Sequence, residues 1–126
     1  MDQRRSKLQA RIENLLWQQA SDFYLEELTL TGPNFDETKP TSPAFFSVVI
    51  ELGRSGFDDD EEPVKPEFKK QVRQKAGELL KEIVKIIRDI FLATSRRYRN
   101  GKLRVYVSFR LEAFDVKIKR QQTITF

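Results

Sequence analysis

From residue 66 to residue 98, apolar side chains recur at Phe68, Val72, Ala76, Leu79, Leu80, Ile83, Ile87, Ile90, Phe91 and Thr94. The period is 3.6 residues and holds for about nine turns, which predicts one helix roughly 50 Å long. Pro66 suits the first helical turn, Glu67 suits the positive end of the dipole, and Gly101 suits the stop. A helix with such a stripe has to bury it against another layer, so this segment sets the architecture of the chain. Val84, Ile86 and Leu92 widen the stripe beyond what one sheet face needs. The extra flank must be covered by another helix of the same chain or by a second subunit.

The remaining segments supply that second layer. Leu8, Ile12, Leu15 and Leu16 fall at helical spacing and predict a first helix over 4–20. Arg4, Arg5, Lys7, Arg11 and Trp17 also have the composition of a membrane-surface helix, but the apolar stripe is short and an ordinary surface helix is the expectation. Residues 23–31 read as a strand stopped by Gly32-Pro33-Asn34, and 32–43 as a long loop. In 44–52, Phe46, Val48, Ile50 and Leu52 face one way and Phe45, Ser47, Val49 and Glu51 the other. Apolar residues on both sides predict a central strand covered on both faces.

Residues 53–65 form a second loop. After Gly101 the period becomes two: Val105, Val107, Phe109 and Leu111 share one face, and Arg104, Tyr106, Ser108 and Arg110 the other. The parity flips at Glu112-Ala113, so Phe114, Val116 and Ile118 become the apolar set. Either a tight turn or a bulge in one long strand satisfies the flip. Ile124 and Phe126 continue a strand pattern. The sum is one α+β domain over 1–126, two-layered, in the order α-β-β-α-β-β. An antiparallel sheet of about four strands packs on the long helix, with the N-terminal helix beside it.

Composition closes much of enzyme chemistry. The 126 residues contain no Cys and no His. Disulfides, thiolate nucleophiles, Cys-based zinc sites and Ser-His or Cys-His pairs are excluded. Neither a cofactor nor a metal is called for. No apolar run approaches the roughly 20 residues of a membrane span, and Met1–Lys7 is not followed by a signal-peptide core. A cytoplasmic protein with no membrane partner is the expectation. The charge is divided by position: from Asp22 to Glu62 eleven acids face two bases, and from Pro63 onward seventeen bases face six acids. Such asymmetry points to a charged partner or to self-association through opposed faces.

Three clusters bear on chemistry. Asp58, Asp59, Asp60, Glu61 and Glu62 are consecutive, whereas a calcium loop spaces its ligands; a solvated loop is expected. Asp115-Val116-Lys117 has the Asp-x-Lys spacing of restriction-type nucleases, but 102–111 provides no acid to complete a metal site. Gly53-Arg54-Ser55-Gly56 lacks the Lys-Ser/Thr of a phosphate-binding loop. Catalysis is therefore not expected.

The basic cluster remains: Arg96, Arg97, Tyr98, Arg99 and Lys102 at the junction, Arg104, Tyr106 and Arg110 on the strand, then Lys117, Lys119 and Arg120. Cations interleaved with an aromatic side chain suit RNA or DNA, binding phosphates and stacking a base. At Lys102, Tyr106, Val107 and Phe109, residues 102–109 resemble the ribonucleoprotein-motif strand of RNA-recognition domains. They depart from it at Leu103, Arg104 and Val105, and the order of elements departs too, so no family is identified. Two functions stand. One is a non-enzymatic protein-interaction or adaptor module, a homodimer joined through Val84, Ile86 and Leu92 of the long helix. The other is nucleic-acid binding through the basic junction and the outer sheet face.

Overall fold

A computed structural model of the chain describes residues 3–35, 38, 43–55, 65–94 and 101–125. The order is α1 (Gln3–Gln19), β1 (Phe23–Asn34), β2 (Ala44–Arg54), α2 (Pro66–Thr94), β3 (Lys102–Leu111), a 3-10 turn (Glu112–Phe114) and β4 (Val116–Thr125). The fold is α+β, as the periodicities predict. Residues 95–98 of the expected long helix, the acidic run 58–62 and Phe126 lie outside the described residues.

The four strands lie in sequence order, β1-β2-β3-β4. β1 and β2 are antiparallel, as are β3 and β4, but β2 and β3 run parallel, with Ala44 opposite Leu103 and Glu51 opposite Arg110. The sheet is thus mixed at its centre rather than antiparallel throughout. The cause is α2: its 29 residues span about 44 Å and carry the chain back to the start of β2, so β3 leaves in the same direction. β1 extends to Asn34 instead of stopping at Thr31, with register breaks at Leu25/Glu27 and Thr31/Asn34.

Both helices lie on one face of the sheet. Phe46, Val48 and Ile50 of β2 and Val105, Val107 and Phe109 of β3 join Leu8, Ile12, Leu16, Leu79, Ile83, Ile87 and Phe91 in a single core. Phe46 and Phe91 meet with ring centroids 4.7 Å apart, and the Arg4 guanidinium lies over both rings. The wide stripe of α2 is covered from within the chain: α1 packs along it, and Arg11 pairs with Asp89 at 3.7 Å. Ile86 is accordingly only 9 % exposed, and Val84 is half-buried against the core.

The parity flip after Leu111 is a hairpin turn and not a bulge. Its tightest residue is Asp115, at φ 55°, a left-handed conformation that Asp tolerates better than most residues. Phe114 drops into the core beneath the turn, where Arg73 of α2 donates to its carbonyl at 3.0 Å. Lys69 of α2 donates to the Asp115 carboxylate at 3.1 Å, holding its pKa below the usual carboxylate range.

Candidate functional site

Among the described residues no element covers the second face of the sheet. Cross-strand register sorts its side chains into rows. Glu27, Glu51, Arg110 and Lys117 form one row; Thr29, Val49, Ser108 and Lys119 form the next. Thr31, Ser47, Tyr106 and Gln121 follow, and then Asn34, Phe45, Arg104 and Thr123. Between the rows is a shallow concavity of about 510 Å³ over Ser47, Val49, Tyr106, Ser108, Arg110 and Lys119.

The expected covering of β2 on both sides is therefore corrected. Helices bury one face only, and Phe45, Ser47 and Val49 on the other are half-buried by the side chains beside them. Lateral shielding within a central sheet row meets the same need as a second layer. Phe45 and Tyr106 show how: their rings meet edge to face, 5.8 Å apart at 82°. Tyr106 remains 38 % exposed at the middle of the face.

Charge on this face is graded across the strands. Glu27 and Glu51 lie toward β1, with Glu26 in the adjoining register break close enough to act on Glu51, whereas Arg104 and Arg110 lie on β3 and Lys117 and Lys119 on β4. The acidic side is crowded: partial burial raises the Glu51 pKa above the ordinary carboxylate value, and the negative charges of Glu112, Glu26 and Glu27 raise it further. Tyr24 hydrogen-bonds Glu26 at 3.2 Å, which raises the phenol's pKa. On the basic side, Arg104, Arg110 and Lys119 have no carboxylate within salt-bridge distance among the described residues. Unpaired cations beside an exposed aromatic ring leave this half of the face with positive potential and a stacking surface.

Of the residues singled out from sequence, Lys102, Arg104, Tyr106, Arg110, Lys117 and Lys119 share this face. Arg120 does not. It pairs with Val107 and so points to the helix side, where it borders a groove with Gln74, Gly77 and Lys81 of α2. Arg96, Arg97, Tyr98 and Arg99 lie outside the described residues. Phe45, Ser47, Val49, Glu27 and Glu51 were missed from sequence. Their alternation was legible, but only the β2–β3 register sets them beside Tyr106 and Arg110.

Among the described residues the Asp115-x-Lys117 spacing gathers no further acid: Asp115 is held by Lys69 and Lys117 stands beside Arg110. Among the described residues no group of three or more acids is close enough to hold a metal ion, and no helix is long and apolar enough to cross a membrane. No family model, curated protein or solved structure matches this chain.

Proposed function

We propose that the chain is a nucleic-acid-binding domain that takes a single strand on its open sheet face. The observation that carries this reading is Tyr106 in the middle of a face that no described element covers, with Phe45 against its ring and Arg104, Arg110, Lys117 and Lys119 around it. Phosphates need cations that no carboxylate already neutralises, and an unpaired base offers its flat face to an aromatic ring. A duplex hides those base faces in its stack, so the exposed ring of Tyr106 favours a single strand. The acids toward β1 repel a phosphate backbone and so confine its path to β3 and β4.

Self-association through α2 has less support. Ile86 and Val84 lie against the chain's own core, leaving Leu92, at 38 %, as the most exposed of the three; one leucine is not a docking patch.

The test is fluorescence anisotropy with labelled single- and double-stranded oligonucleotides at about 50 to about 300 mM salt. Sub-micromolar affinity for the single strand is expected near about 150 mM, with a log–log salt slope equivalent to several phosphate contacts. Tyr106→Ala should weaken binding by roughly 1–3 kcal/mol. Arg104→Ala with Arg110→Ala should weaken it and flatten the slope. Binding lost at moderate salt, or indifferent to Tyr106→Ala, overturns the reading.

A further inference from the structure

The two edges of the sheet are unlike. β1 is a poor template for another strand: its register breaks twice against β2, and Pro33 offers no N–H. β4 is the opposite. All ten residues from Val116 to Thr125 pair with β3 without a break, and none is Pro or Gly. Its outer edge is a straight row of backbone donors and acceptors, and among the described residues no strand pairs with it.

Edges are commonly protected by charge, and β4 carries Lys117, Lys119 and Arg120. All three are in its first half. The second half, Gln121 to Thr125, is uncharged. A strand divided in this way is complementary to itself when two copies run antiparallel. With a two-fold axis at Gln121, Lys117 stands opposite Thr125, Ile118 opposite Ile124, Lys119 opposite Thr123 and Arg120 opposite Gln122. No like charges face each other.

The faces match as well. Ile118, Gln122 and Ile124 are on the helix side; Ile124 is already buried, whereas Ile118 is only half-buried within one copy and would gain cover from an added strand. Neighbouring registers are worse. An axis at Lys119 or Arg120 sets that cation against its own copy, and an axis at Gln122 sets Arg120 against Ile124. Parallel in-register pairing sets all three cations against themselves.

We infer that β4 is the seam of a homodimer, in which two copies of the four-stranded sheet join antiparallel about Gln121 into one eight-stranded sheet. The partner is a second copy of this chain, and the contact is made by strand edges, not by α2. The two open faces become continuous, with their basic sides adjoining and both acidic β1 edges outermost.

Two measurements test this. In sedimentation equilibrium the wild type should dimerise. Thr123→Lys puts a lysine opposite Lys119 of the other copy, and by symmetry does so twice, so it should weaken the dimer roughly tenfold or more. Adding Lys119→Glu to that variant should restore association. Because the chain has no cysteine, Gln121→Cys introduces a single thiol at the axis. Under mild oxidation it should form a disulfide-linked dimer, while Thr29→Cys on β1 should form none, although it associates through β4 like the wild type. A wild type monomeric at its highest soluble concentration overturns the inference, as does a Thr123→Lys variant that associates like the wild type. Equal cross-linking of the two cysteine variants does the same.

Discussion

Glu51 is the residue whose surroundings oppose its charge most plainly. It is half-buried on the open face with Glu26, Glu27 and Glu112 around it, and its pKa is raised. A carboxyl that holds its proton more tightly folded than unfolded favours the folded state at low pH. That advantage is lost as pH rises from the ordinary carboxylate value through the raised one. Glu51→Gln should therefore melt higher than the wild type at pH 7, and the difference should close below the ordinary glutamate range, as thermal denaturation across pH would show. Asp115 has the reverse sign: Lys69 lowers its pKa, so its contribution is present at neutral pH and fades on acidification. Trp17, the only tryptophan, is 80 % exposed, so its emission should be solvent-like in the folded state and a poor reporter of unfolding. At this scale the sequence was legible where parity decides. It placed Arg104, Tyr106 and Arg110 on one strand face correctly, but counted Arg120 with the same basic cluster although its parity with Val116 and Ile118 sets it on the apolar side.

Elements carry the clearer energetics. Gly77 lies inside α2, and a Cβ added there meets nothing within 4 Å. Gly77→Ala should stabilise the protein by about 0.5–1 kcal/mol, read from denaturant midpoints at unchanged m-value. Phe114 is fully buried beneath the β3–β4 turn, its ring centroid 5.9 Å from that of Phe68. Phe114→Ala should cost roughly 3–5 kcal/mol in the same measurement. The elements themselves were legible because their periods, 3.6 and two, differ sharply. The hairpin was less so: its left-handed residue is Asp115, without the Gly or Asn that usually marks such a turn. The parallel β2–β3 pair was not legible at all. Side-chain alternation is the same in parallel and antiparallel strands, and direction is fixed only by where a 29-residue helix returns the chain. The partners of Tyr106 on β2 were hidden for the same reason.

Over the whole molecule, the rows of the open face divide charge along the sheet plane, with carboxylates toward β1 and cations toward β4. A net charge of +4 understates this arrangement, because the sum hides the separation. Separated charge acts as a dipole, and a dipole experiences torque before contact. A polyanion approaching a single copy would turn it until its β3–β4 half leads, so the productive orientation is reached during diffusion and not by repeated collision; two copies joined about Gln121 oppose their in-plane dipoles, so this steering belongs to the monomer. At concentrations low enough to keep the chain monomeric, stopped-flow association rates should therefore fall more steeply with ionic strength than a uniformly charged sphere of +4 allows. Glu27→Gln with Glu51→Gln raises the net charge, yet by shortening the dipole it should make the encounter less directional.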